Sequence, residues 1–249
     1  MNSLVNGRRD DRVPADDPGF LRGLVCFDTL RTYGRHPFRL EQHLRRLERS
    51  AEAMGIPCDL GEVAADMSRL LDDDVWIRVT LTAGGNRVIQ SARVDMDRVG
   101  RPLRCARWPV LPSAFLPGSV KHGNRAAWIL AARGLGVDEV LFEHDGQLLE
   151  ANRSSLVAVL DGVARTPPTD GRMLEGVTRG ALLDAARLAG LPLIEAPIPS
   201  DGPFDELWVA STLKELAPVA ELDGVAVGGG GVGESLHRAF RDLVQSERA

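Results

Sequence analysis

The segment VCFDTLRTY, rich in β-branched and aromatic residues and followed by Gly34-Arg35, predicts a strand over Val25–Tyr33. A helix is expected next, over about 37–54. There Phe38, Leu40, Leu44, Leu47, Ala51 and Met54 recur at three- and four-residue spacing, and Pro37 suits a first helical turn. A second helix is expected over 62–71. VWIRVTLT (Val75–Thr82) and NRVIQSARVDM (86–96) alternate in polarity on either side of Ala83-Gly84-Gly85 and read as a β-hairpin.

Pro102, Pro109, Pro112 and Pro117 crowd the stretch 101–118, which reads as an extended connector. Beyond it the pattern predicts a helix over 124–133 and a hairpin in VDEVLFEHDGQLLE turning at Asp145-Gly146. A single strand is expected in SLVAVLDGVART, then a turn-rich PPTDGRMLEG. A helix over 178–189 should end at Gly190, followed by the strand ELWVAS, the hairpin AELDGVAVG and a C-terminal helix ESLHRAFRDLV. No internal repeat and no parallel βαβ alternation is visible. The fold class is α/β in the broad sense, of α+β type. The expected division is a small N-terminal α/β domain (1–110), a linker (111–118) and a larger C-terminal domain (119–249).

With 249 residues, 44% apolar and 26% charged, the chain suits one large or two small cores and not a disordered tail. No apolar run approaches the roughly 18 to 20 residues of a membrane helix, and the N-terminus lacks the apolar centre of a secretory signal. A cytoplasmic location is expected, with no membrane partner. A net charge of −5 argues against nucleic acid as partner. Cys26, Cys58 and Cys105 form no C-x-x-C pair and encode neither a disulfide framework nor a zinc site. Only Lys121 and Lys214 are lysines, so any amine chemistry has two candidates.

The glycine run 228–233 sits where a phosphate loop would, but it lacks the Lys-Ser/Thr of a nucleotide loop and reads as a flexible turn. Asp72-Asp73-Asp74 reads as a solvated helix end. His36, His43, His122, His144 and His237 make no ligand pair, there is no G-x-S-x-G elbow, and no metal is expected. Other features converge. Lys121 stands at an element end in GSVKHGNRAAW, and Glu150 closes the strand DGQLLE. Gly176, Val177 and Thr178 open a helix, whose free N–H groups favour a phosphate, and Ser211-Thr212 follows a strand. Lysine, carboxylate and anion cradle are together what pyridoxal phosphate requires. Each also has an innocent reading: a surface lysine, a solvating strand-end charge, a plain helix start.

The order of these motifs resembles the class IV aminotransferases. These fold-type IV pyridoxal phosphate enzymes include branched-chain and D-amino acid aminotransferases and aminodeoxychorismate lyases. The matching stretches are FDTLRTYGRHPFRLEQHLRRLERSAEAMGI, KHGNRAAW, DEVLFEHDGQLLEANRSS, ARTPPTDGRMLEGVTR and DELWVASTLKELAPVAELDG. The resemblance implies a two-domain fold whose larger domain is a mixed, barrel-like sheet with helices. It places the cofactor between the domains, in a homodimer with active sites near the subunit interface. It implies that Lys121 forms the internal aldimine and moves the substrate proton, and that Glu150 pairs with the pyridine nitrogen. Arg46 would hold the phosphate with the Val177 and Thr178 amides and Thr212, leaving Lys214 structural or solvent-facing.

The chain departs from the family pattern at three places. Arg22-Gly23-Leu24-Val25-Cys26 replaces a glycine-aspartate-glycine run, Ser155 replaces an asparagine, and Ala126 stands where branched-chain enzymes have tyrosine. FDTLR and the run Lys121 to Arg125 look like the lyases, while STLKELAPVAELDG looks like the D-amino acid aminotransferases. The expected activity is transfer of an amino group between an amino acid, of D- or branched-chain type, or an amine and a 2-keto acid. The alternatives are the lyase, releasing pyruvate to give 4-aminobenzoate, and a catalytically silent pyridoxal phosphate-binding protein. Arg31, Arg78, Arg87 and Arg125 are candidates for a substrate carboxylate, because arginine meets carboxylates in bidentate geometry.

Overall fold

Alternation of apolar and polar positions builds two units, described here from a computed structural model covering all residues except Pro112, Ala114 and Ala249. Pro112 and Ala114 belong to the expected 111–118 linker, so that expectation lies in part outside the described residues. The first unit takes Met1–Asp95, Ser119–Asn124 and Arg248, and the second takes Met96–Gly118 and Arg125–Glu247. Among the described residues no helix is long and apolar enough to cross a membrane.

In the first unit the elements are β1 (Asn2–Val5), α1 (Pro18–Arg22), β2 (Val25–Tyr33), β3 (His36–Pro37), α2 (Leu40–Ala53), α3 (Leu60–Ser68), β4 (Val75–Thr82) and β5 (Arg87–Arg93). The strands form an antiparallel sheet in the order β1-β5-β4-β2-β3. Val75, Ile77, Val79 and Leu81 alternate along β4 and join Cys26, Leu30 and Ile89 in a core with Leu47 and Ala51 of α2 and Val63 and Met67 of α3. Helix α2 starts at Leu40, later than the proline suggested. Pro37 pairs with Thr32 in β3, and the left-handed Arg39 (φ 54°) turns the chain into the helix. Helix α3 starts earlier than expected because the Asp59 carboxylate accepts the Glu62 N–H at 3.0 Å.

Three polar side chains lie within this core. Asp28 accepts from Arg46 Nε and Nη2, each at 2.8 Å, and lies 2.7 Å from His43 Nδ1. All three are buried. Burial alone would push the Asp28 carboxyl up, but Arg46 and then His43 overcome it and hold the group far below the usual carboxylate range. Burial pulls His43 below the ordinary imidazole value, so at neutral pH its uncharged ring donates from Nδ1 to Asp28.

The second unit contains β6 (Leu103–Pro109), α4 (Ala126–Leu135), β7 (Glu139–His144), β8 (Gln147–Ala151), β9 (Ser155–Leu160), β10 (Val163–Thr166), α5 (Val177–Ala189), β11 (Leu193–Glu195), β12 (Ile198–Pro199), β13 (Glu206–Ser211), β14 (Glu215–Leu222), β15 (Val225–Ala226) and α6 (Gly231–Arg248). The strands β9-β13-β14-β6-β7-β8 close into a ring, because β8 pairs back to β9. Cys105, Leu141, Leu156, Ala158, Val209, Ala217 and Val219 fill its core.

Four sequence expectations change here. Part of the supposed connector is β6, paired in parallel with β7 and β14; its last residue is Pro109, and Pro102 just precedes it. SLVAVLDGVART is two strands, because Asp161 (φ 52°) and Gly162 (φ 74°) make the same left-handed turn as Asp145-Gly146. Parallel βαβ units do occur, β6-α4-β7 and β10-α5-β11. The glycine run is a loop only as far as Gly230: Gly231 begins α6, and the Glu206 carboxylate accepts the Val232 and Gly233 N–H groups at 3.0 and 2.9 Å.

A Cβ at residue 233 would come within 2.0 Å of the Trp208 ring. Gly233→Ala should therefore lower stability by about 1–3 kcal/mol through overpacking, read as a fall in the urea midpoint. The depressed His43 gives a second expectation. As pH falls below about 6.5, the unfolded chain binds a proton that the folded imidazole refuses, so stability is lost on acidification. His43→Gln, which can still donate to Asp28, should flatten the urea midpoint against pH in that range; an unchanged slope would contradict the assignment.

Candidate active site

Lys121 is mounted on β2 by the segment that follows the buried Val120. Its carbonyl accepts the Phe27 N–H at 3.0 Å, and two residues on the Gly123 N–H reaches the Val25 carbonyl at 2.9 Å. Cys26 and His122 form the antiparallel bridge between these bonds, along an edge that β3 leaves open because it pairs only at Thr32 and Tyr33. The Lys121 N–H donates to Ser50 Oγ at 3.1 Å, and that hydroxyl donates to the Arg46 carbonyl at 2.8 Å. Both backbone polar groups of Lys121 are thus fixed, and its Nζ lies 5.1 Å from the centre of the Phe27 ring. Ser50 was not foreseen, although a serine on the apolar face of α2, one turn after Arg46, was a readable signal.

Arg78 reaches the same ring, its guanidinium carbon 3.7 Å from the Phe27 centroid. Its Nε donates to Thr80 Oγ1 at 3.3 Å, and it makes no ion pair among the described residues. Burial pulls its pKa down and the Asp28 charge raises it, yet a guanidinium stays charged. Arg31 is buried, 4.1 Å from the Tyr33 centroid. Arg87 is paired with Asp66 at 2.8 Å and Glu62 at 3.0 Å. Arg125 belongs to the second unit, where it donates to the Asn152 carbonyl at 2.6 Å and lies over Trp128. Arg46 is held by Asp28, as described.

In the second unit the expected cofactor residues gather around Ser155. Glu150 pairs with Ser155 across β8 and β9, and Ser155 pairs with Ala210 of β13, two residues before Thr212. The Leu174 N–H donates to Glu150 Oε1 at 3.3 Å and orients the carboxylate. Gly176 caps α5 in an extended conformation with no side-chain cap bond, so the Val177 and Thr178 amides open the helix without one. A Cβ at residue 176 would lie 2.3 Å from Ser155 Oγ, so glycine permits this close approach.

Lys214, in the turn that carries Thr212, is ion-paired with the fully buried Glu139 and lies 3.3 Å from Ser154 Oγ. Of the two roles expected for it, the structure gives the structural one. Cys26 is buried with its thiol pushed up to about 12 by burial and then by Cys58.

A family model described as amino-transferase class IV matches residues 25–222. A Methanocaldococcus jannaschii protein provisionally named as a branched-chain-amino-acid aminotransferase is 28% identical, over 98% of this chain and 96% of its own. The D-alanine aminotransferase of Listeria monocytogenes is 27% identical, over 99% of this chain and 97% of its own. In fold, the chain is similar to a hypothetical aminotransferase from Mycobacterium tuberculosis in its pyridoxal phosphate-bound form, with a TM-score of 0.86, 24% identity and 100% of both chains covered. The family match runs from β2 to the end of β14 and takes in segments of both units: the chain belongs to the class IV aminotransferases and is an enzyme of that family.

Proposed function

We propose that the enzyme transfers an amino group between an amino acid and a 2-keto acid, with pyridoxal phosphate held through Lys121. The observation that carries this is the contrast between the two lysines. Lys121 is fixed at both backbone polar groups beside Phe27 and Arg78, whereas Lys214 is bound to Glu139. The donor set fits the cofactor: an amine, an oriented carboxylate in Glu150, and a helix start that no side chain caps, with the Ser155 hydroxyl close beside Gly176.

Pyridoxal phosphate supplies a carbonyl carbon for amines and a ring that withdraws electrons when its nitrogen is protonated. The Lys121 Nζ would hold the cofactor and, as a free amine, would move the proton at the substrate Cα. The Glu150 carboxylate pairs with the ring nitrogen and keeps its proton in place. The Val177 and Thr178 amides and the Thr212 hydroxyl donate to the phosphate, where the helix dipole adds to them. Arg46 contributes hydrogen bonding more than net charge, since Asp28 already balances it. Arg78 binds the substrate carboxylate, a role supported by its lack of an ion pair among the described residues and by the ring it shares with Lys121.

Two measurements test this reading. The protein mixed with pyridoxal phosphate should show a long-wavelength absorbance band that borohydride fixes covalently. Lys121→Ala should lose it and Lys214→Ala keep it; a fixed adduct in Lys121→Ala would move the site. Arg78→Ala should raise the KM for the amino acid about 10- to 100-fold with a smaller change in kcat, as loss of a charge-assisted pair of about 1.5–3 kcal/mol requires. That assay, the half-reaction of an amino acid with the loaded enzyme, also separates the activities. Pyruvate release from aminodeoxychorismate without a keto acceptor would make the enzyme a lyase.

A further inference from the structure

We propose that Ser155 is a direct ligand of the cofactor's phosphate group, donating its hydroxyl to an oxygen held at the start of α5. The inference rests on the reading of that helix start given above. Ser155 is 5% exposed, yet its Oγ has no hydrogen-bond partner among the described residues. Ser155 Oγ is not among the side-chain atoms sealed from solvent without a partner, so this unbonded hydroxyl opens onto space that a ligand can enter.

The direction in which it points identifies the missing partner. A Cβ built on Gly176 would come within 2.3 Å of Ser155 Oγ. A Ser, Thr, Asp or Asn side chain at a helix start leaves the backbone in that direction to accept the amides of the first turn. In α5 that residue is glycine, there is no side-chain cap bond, and the Ser155 hydroxyl occupies the space instead without bonding to those amides. A hydroxyl and the N–H groups of Val177 and Thr178 therefore converge. Donors that converge without satisfying one another need a common acceptor, and an anion with several oxygens at the positive end of a helix dipole supplies it.

The register of the ring adds a second constraint. Ser155 is the one residue paired both with Glu150 on one side and with Ala210, just before Ser211-Thr212, on the other. A ligand held by Thr212 and the α5 amides would meet Ser155 between them. The neighbouring Ser154 is excluded from such a role, because its hydroxyl donates to Glu139 at 3.0 Å.

The test compares pyridoxal phosphate with pyridoxal, which lacks the phosphate, by equilibrium titration of the full-length protein. Ser155→Ala should bind pyridoxal phosphate about tenfold more weakly, as loss of one hydrogen bond to a charged group implies, while pyridoxal affinity stays within about twofold. Inorganic phosphate should displace pyridoxal phosphate from the wild type and compete about tenfold less well in the variant. Ser155→Thr, which retains the hydroxyl, should keep the preference for the phosphorylated form. The cofactor-free Ser155→Ala protein should melt no lower than wild type, since its unpaired hydroxyl is gone. Equal loss for both ligands, no loss for either, or a lower melting temperature without cofactor would overturn the inference. A wild type that binds pyridoxal as tightly as pyridoxal phosphate would instead defeat the phosphate reading of α5. Undiminished discrimination by Ser155→Ala would defeat the role of Ser155 alone.

Discussion

A carboxylate with no exposed surface, Glu139, governs the second unit. Removing such a charge from water costs several kcal/mol unless its lone pairs are filled. Here Lys214, the Ser154 hydroxyl and the Arg153 N–H fill them. Two turns are fastened by that one group: residues 152–154, joining β8 to β9, and residues 212–214, joining β13 to β14. The first sets the Glu150–Ser155 pair that closes the ring of strands. The second carries Thr212. Glu150, Ser155 and Thr212 thus take their positions from turns that one buried charge fastens.

The first unit uses the same physics with the signs arranged differently. Asp28 points from β2 into the helix-covered face and is balanced by Arg46 and His43 of α2. Breaking such a pair by removing one partner leaves an uncompensated buried charge, worth about 3–5 kcal/mol, so α2 is locked to β2 in register. One turn along, Ser50 faces the same strand and receives the Lys121 N–H. The position of Lys121 is therefore a consequence of how firmly α2 is held. A lysine on a mobile loop would sample many positions; this one is confined before any ligand arrives.

Much of this was legible in the sequence, and the failures share a cause. The strand Val75–Thr82 was read correctly because one face lies on the helices, which leaves a visible alternation, and Val25–Tyr33 was read from its β-branched and aromatic residues, its burial being nearly continuous. Strand β9 sits in the closed ring with cover on both faces. The run from Ser155 to Leu160 is buried throughout and shows no period that would separate it from β10. Lys121 and Glu150 stood out as candidates because lysine is scarce and because the motifs around them resemble a family. Ser50 and Glu139 did not. Their importance lies in partners supplied by distant segments, and one chain's pattern does not encode which segments meet.

The arginines show how partner accounting does what counting residues cannot. Arginine is so frequent here that any model of the substrate finds one nearby, and composition alone leaves four candidates equal. The fold separates them by what each already touches. Arg87 has two carboxylates from α3, so a substrate would have to displace charges that the fold supplies for nothing. Arg78 faces the opposite side of the sheet, because alternation along β4 sends Ile77 and Val79 into the core and Arg78 away from it. The nearest acid in the sheet, Asp28, lies on the core face of β2, where Arg46 and His43 already engage it. At Phe27, Arg78 and Lys121 bring two positive charges to one aromatic ring, and a ring offsets only about 0.5–2 kcal/mol per cation. An anionic substrate is therefore favoured beside Lys121 for an electrostatic reason that precedes any fit of shape.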